Sequence, residues 1–233
     1  MRQTDSADGA GSFELRSLDL GGYRPGMDSF SAASLCRTYS AYFALGGDVT
    51  EGPGCRAVRQ DANPLVYDVN HLQVGPEAEL DAALAFFEAS LGDRTYRRIM
   101  TDPFTPPGFA ATLSLESYLV GPTLQGLLTG TLQGPMPRAC EIRPVDGAAV
   151  AYFSSWPGIA GVGMVEDLFT LPSHRGRGIA RALIHHGVAD ARTRGAQSVL
   201  IGSDPDDTPK HLYAAMGFEP TCVTWGWTRI EAA

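Results

Sequence analysis

The chain has 233 residues and a formal net charge of −8, which suits one large domain or two small ones and argues against a protein whose main task is gripping nucleic acid. No apolar run approaches the roughly 20 residues of a membrane span, and the polar start MRQTDSADGAGS has no apolar signal core, so a cytoplasmic chain is expected. Cys36, Cys55, Cys140 and Cys222 lie far apart, which predicts reduced, mostly buried thiols rather than a metal site or a disulfide framework.

Residues 1–12 read as a disordered tail. A first helix starts near Asp28 or Ser29, with Ala32, Leu35, Cys36, Tyr39 and Phe43 at helical spacing and Gly46 at its end. NPLVYDVNHLQV (63–74) reads as a strand after a turn at Asn63-Pro64. GPEAELDAALAFFEASLG (75–92) is a helix whose stripe is Leu80, Ala83, Leu84, Phe87 and Leu91, stopped by Gly92. TYRRIM (95–100) follows as a strand, TPPGFAATLSL (105–115) as a helix with prolines near its start, and ESYLVGPTLQG (116–126) as extended chain. TLQGPMPR (131–138) reads as a linker.

Past the linker, CEIRPV (140–145) reads as a strand, GAAVAYFSSW (147–156) as a short helix and VGMVEDLFTL (162–171) as a strand. A helix runs from about Arg177 to Arg194, with Ala180, Leu183, Ile184, Gly187, Val188 and Ala191 on one face and Gly195 as terminator. SVLIG (198–202) is the continuous apolar run of a strand buried on both faces. TPKHLYAAMG (208–217) opens on Thr208-Pro209 and closes at Gly217, and TCVTWGW (221–227) is a last strand.

The pattern predicts an α/β protein with a mixed twisted sheet, divided into an N-terminal half over 13–130 and a C-terminal core over 139–233. Both halves show strand, helix, strand, short helix, strand. An internal duplication gives that order, and so does the arrangement common to many α/β chains, since no residue identity links the halves. One loop differs: the second half has SHRGRGIA where the first has GPEAELDA.

That loop joins a strand to a helix and carries glycines and arginines where a helix normally places a polar cap and acidic residues. The first N–H groups of a helix lack partners and the dipole is positive there, so the loop is a natural anion site. Gly176 and Gly178 permit close approach to the backbone, and Arg175, Arg177 and Arg181 make sense beside a polyphosphate. The P-loop pattern fails, because Ile179-Ala180 follow the second glycine, and the dinucleotide fingerprint fails at Arg181.

EDLFTLPSHRGRGIARALI resembles the pyrophosphate-binding segment of the GNAT acetyltransferase superfamily, whose [QR]-x-x-G-x-[GA] reads here Arg175-Gly176-Arg177-Gly178-Ile179-Ala180. SVLIGSD and TPKHLYAAMGFEP resemble the following strand and the L-Y-x-x-x-G-F segment, so the resemblance covers roughly residues 139–230. It implies an acetyl-CoA or other acyl-CoA co-substrate and no metal. Leu168, Phe169 and Thr170 are then expected to meet the pantetheine arm, and Arg175, Gly176, Arg177, Gly178, Ile179, Ala180 and Arg181 to cradle the pyrophosphate. Asp206 stands where members often carry a cofactor-contacting Asn, and an ionised carboxylate cannot donate that hydrogen bond. The N-terminal half is expected to be a degenerate, GNAT-like unit that shapes the acceptor cleft.

The implied reaction is direct attack of a primary amine on the thioester, with a small-molecule amine as acceptor and a monomeric or homodimeric enzyme. Glu166 is the expected base, directly or through water, with Asp167 next in line. As adjacent strand residues they point to opposite faces, and an ion-paired or solvated strand end fits them equally. Tyr213 matches the family tyrosine that protonates the leaving sulfur, against a core tyrosine otherwise. A backbone N–H of the LFTL strand, whether or not it bulges, is the expected oxyanion donor. A non-catalytic acyl-CoA sensor and an enzyme using a carrier-protein or aminoacyl-tRNA donor are the alternatives.

Overall fold

The computed structural model describes residues 29–116, 118–136 and 149–230. The expected N-terminal tail and the strand over 140–145 lie outside these residues. The chain forms α1 (Ser29–Phe43), β1 (Asp48–Gly52), β2 (Cys55–Arg59), β3 (His71–Val74), α2 (Leu80–Leu91), β4 (Tyr96–Thr101), α3 (Gly108–Leu115) and β5 (Leu119–Leu128). After the linker come β6 (Ala151–Ile159), β7 (Val162–Thr170), α4 (Ile179–Thr193), β8 (Ser198–Ser203), α5 (Pro209–Ala215) and β9 (Glu219–Ile230).

The nine strands of the described residues join one mixed sheet in the order β1-β2-β3-β4-β9-β5-β8-β7-β6. Two parallel pairs, β3 with β4 and β7 with β8, enclose helices α2 and α4 in their crossovers. The final strand of each half sits beside the other half's parallel pair: β9 runs antiparallel to β4, and β5 runs antiparallel to β8. β5 and β9 then pair with each other at the centre. The two halves therefore share one continuous sheet.

Three apolar clusters cover it. Phe87, Leu91, Phe109 and Leu113 of α2 and α3 pack on Leu72, Ile99 and Trp227. On the C-terminal half, Ile184 and Val188 of α4 and Tyr213 of α5 meet Val165, Val199 and Ile201. The opposite face carries Leu35, Cys36 and Tyr39 of α1 against Met164, Leu200 and Cys222. Helix α1, the first of the described elements, thus rests on the strands of the second half. Leu35 is fully buried, so its truncation to Ala costs about 2–5 kcal/mol.

Three elements depart from the sequence expectation. The stretch expected as a helix over 147–156 is the strand β6 from Ala151, paired antiparallel with β7; its aromatic residues fit a sheet edge, and the ladder decides. In 63–74 only His71–Val74 is a strand, preceded by a 3-10 turn at Tyr67–Val69. Buried Asn70 holds that turn by donating to the carbonyls of Asn63 and Val66 and accepting from the Gln60 amide. The hairpin β1–β2 was not expected, because β1 is almost wholly exposed and shows no apolar alternation.

Candidate active site

β7 and β8 run in register from Val162 opposite Ser198 to Val165 opposite Ile201. Their pairing ends there, and the strands diverge around a cleft of about 290 Å³. Glu166, Asp167, Leu168, Phe169, Gly202 and Tyr213 all line it.

A bulge shapes its wall. Tyr152 pairs with Phe169 but Ser154 pairs with Glu166, so β7 carries one residue more than β6. Asp167 takes up the difference with a φ of 53°, a conformation rare for a residue with a Cβ. The bulge corrects the expectation that the two carboxylates face opposite ways. Asp167 accepts from Tyr42 Oη and from Ser154 Oγ, each at 2.9 Å, and so turns toward α1. Glu166 follows Met164 onto the same face, where Met164 packs with α1.

Burial of Glu166, reinforced by the charges of Asp167 and Asp68, pushes its carboxyl up to about 8. Asp68 comes from the N-terminal half and is itself raised by burial, although Arg98 Nη1 stands 2.8 Å from it. Burial, with Glu166 next and then Asp207, lifts the Tyr213 phenol to about 12. A carboxyl pushed up to about 8 and a phenol pushed up to about 12 therefore face one cleft. Sequence reasoning had no signal for Tyr42, Asp68, Ser154 or Gly202.

The loop after β7 makes a 3-10 turn at Pro172–His174, with the amides of His174 and Arg175 spent on Leu171 and Pro172 carbonyls. Beyond it the chain opens. Gly176 and Gly178 have φ of 73° and 78°, and Gly178 is the N-terminal boundary of α4 with no side-chain cap. Among the described residues no hydrogen bond occupies the amides of residues 176–181. A methyl group on Gly176 would meet nothing within 4 Å.

The arginines divide. Arg175 Nε donates to the Thr170 carbonyl at 3.0 Å, so this side chain pins the loop to β7. Arg181 Nη1 lies 3.5 Å from the Gln133 carbonyl and leans on the linker. Arg177 is exposed, while Ile179 and Ala180 open the helix. Leu168 packs toward the α4 cluster, and Phe169 stands beside Tyr152 with ring centroids 5.5 Å apart. Asp206 is exposed, and its amide closes a turn onto Asp204 Oδ1 at 2.8 Å.

The loop after β3, which opens the other parallel crossover, packs against the β1–β2 turn. Gly75 N donates to Gly54 O at 2.9 Å, and a Cβ on Gly54 would lie 2.6 Å from the Ala78 backbone. Among the described residues no helix is long and apolar enough to cross a membrane. No cluster of three or more His, Cys, Asp or Glu side chains among them could hold a metal ion.

Residues 134–218 match the model of the Acetyltransferase (GNAT) family. Streptothricin acetyltransferase of Streptomyces lavendulae is 36% identical over 73 residues, and that match spans 31% of this chain and 37% of the relative's length. Among solved structures, a GCN5-related N-acetyltransferase from Kribbella flavida aligns with a TM-score of 0.61 at 17% identity, covering 86% of this chain and 96% of its own. A GCN5-related N-acetyltransferase from Sphaerobacter thermophilus aligns at 0.51 and 13% identity, covering 86% and 91%. Residues 134–218 thus match the GNAT family model, and the chain shares its fold with GCN5-related N-acetyltransferase structures.

Proposed function

We propose that the protein is an N-acetyltransferase that moves an acetyl group from acetyl-CoA to a primary amine by direct attack. One observation carries this: a loop of unpaired main-chain amides opens beside a strand divergence that holds a raised carboxyl and a protonated phenol. The likeness to an enzyme named for acetylating streptothricin supports an acetyl donor and a small-molecule acceptor.

The loop fits the diphosphate of coenzyme A. The amides of Gly176 to Arg181 lie where the dipole of α4 is positive, and the open side of Gly176 admits the ligand. Acetyl-CoA, when bound, supplies a thioester whose carbonyl carbon accepts an amine. Among the described residues, the β8-facing edge of β7 beyond Val165 has no strand partner, and Leu168 and Phe169 there are placed to bind the pantetheine arm. Arg175 acts by fixing the loop, and Arg177 is the arginine left to approach the phosphates.

Glu166 takes a proton from the incoming ammonium, a task suited to a carboxyl that titrates near the working pH. Asp167, exposed and held by Tyr42 and Ser154, faces the acceptor side and attracts a cation. The bulge at Asp167 offers a main-chain amide to the negative charge that develops on the carbonyl oxygen. Tyr213 gives its proton to the departing sulfur. We read residues 13–130 as a degenerate partner unit, in keeping with the exchanged strands β5 and β9 and the β3–α2 loop packed against the β1–β2 turn.

Turnover of acetyl-CoA with a panel of primary amines, followed by thiol release, tests the proposal. Donor binding without thiol release for any amine favours a sensor. Indifference to every acyl-CoA favours a different donor, such as a carrier protein.

A further inference from the structure

Gln125 lies on β5, directly opposite Gly202 of β8 in the antiparallel register. Its side chain is fully buried. Nε2 donates to Thr224 Oγ1 at 2.9 Å, which fixes the amide so that Oε1 faces away from Thr224. That oxygen has no hydrogen-bond partner in the protein. A buried acceptor left unsatisfied is costly, so it calls for a donor.

Gly202 shows where the donor is. A methyl placed on Gly202 would lie 3.7 Å from Gln125 Oε1, 3.6 Å from Glu166 Oε2 and 3.0 Å from Thr123 Cγ2. The two oxygens thus flank the one notch that the glycine leaves open. An ionised Glu166 has nothing to donate there, whereas a protonated one has a hydroxyl. Around the notch, the charged and titratable groups are Asp167 on β7, Asp68 of the 3-10 turn with Arg98 of β4 upon it, Tyr39 and Tyr42 of α1, and Tyr213 of α5. Asp68 and Asp167 both oppose a negative Glu166, and none of the groups named supplies the orphaned Gln125 oxygen.

We propose that Gln125 is the positioning residue of Glu166: its Oε1 accepts a hydrogen bond from the neutral Glu166 carboxyl across the Gly202 notch and so aims the carboxyl into the cleft, and Glu166 gives that bond up when it loses its proton to solvent and becomes the base. The role is tied to Glu166 as the base of acyl transfer. An acceptor bonded to the neutral form disfavours ionisation, and one such bond is worth about one pH unit.

Carboxyl ¹³C NMR of glutamate-labelled protein tests this without any substrate, with the Glu166 signal identified by its loss in Glu166→Gln. Wild type should titrate near pH 8, and Gln125→Leu should titrate about one unit lower. Gln125→Glu keeps the shape and creates a coupled carboxyl pair, whose upper step should rise above the wild-type value. It also serves if Gln125→Leu does not fold. In turnover, the acid limb of kcat/KM should move with the NMR titration. An unmoved Glu166 titration in both variants, with only a loss of thermal stability, would overturn the assignment and leave Gln125 as packing. If no amine is acetylated, the titration still decides the Gln125–Glu166 contact, and only the acyl-transfer reading falls.

Discussion

The Tyr42 hydroxyl donates to Asp167 Oδ2 across 2.9 Å and ties helix α1 to the bulge in β7. The Tyr42 ring stands 6.0 Å from that of Trp156 on the neighbouring strand β6. One side chain of the N-terminal half thereby helps fix the conformation of a carboxylate at the cleft of the other.

Tyr42→Phe removes this hydrogen bond and keeps the ring. Stability should fall by about 1 kcal/mol in urea denaturation. The acceptor KM should rise several-fold while donor affinity stays unchanged, because the tie lies on the acceptor side. An unaltered acceptor KM would place Asp167 outside the acceptor site.

Glu166 sets two pH dependences. As a base it must be ionised, so kcat/KM should rise with pH through about 8. Its folded value lies above the ordinary carboxylate value, so the folded state binds more protons between the two. Stability from this group is full below the unfolded value and declines as pH rises to about 8. Glu166→Gln should therefore abolish most turnover, gain Tm relative to wild type at pH 9 and show less difference at pH 5. Equal Tm differences at both pH values would count against a raised carboxyl.

Gly178 has a left-handed φ of 78° at the start of α4. Gly178→Ala should cost about 1 kcal/mol of stability from that conformation alone, with donor affinity changed only a few-fold. Gly178→Trp carries the same strain and also fills the loop, so calorimetry should show coenzyme A binding reduced at least about a hundredfold. The alanine control separates blockage from strain.

Tyr213 is buried and its phenol titrates at about 12, so it keeps its proton at any working pH. Tyr213→Phe should slow kcat by about a hundredfold with donor affinity nearly intact. If donor binding weakens and the rate is spared, Tyr213 is a packing residue and not the acid.

What could be read from the sequence was local. The run Arg175 to Ala180 and the apolar stripes of α2 and α4 lie within single segments, and the periodicity that marks them survives folding unchanged. Tyr213 was legible for the same reason, on a short helix with clear ends. What was missed depends on pairing across the sheet. The bulge at Asp167 exists only against β6, which the sequence disguised as a helix. Gln125 and Gly202 meet because β5 crosses from one half to the other, and Tyr42 and Asp68 reach the cleft from a hundred or so residues away. Arg175 was assigned to the phosphate cradle by its motif position, yet its guanidinium is engaged by the Thr170 carbonyl, a contact that only the turn at Pro172–His174 creates.

The central claim is that main-chain amides between Gly176 and Arg181 hold the donor's diphosphate. Backbone ¹H–¹⁵N spectra recorded while coenzyme A is added test it most directly. The amide protons of Gly176, Arg177, Gly178 and Ile179 should move downfield together and saturate, with β3–α2 loop amides unmoved. Saturating coenzyme A that leaves those four resonances in place, or that shifts the Gly75–Ala78 loop instead, would contradict the account.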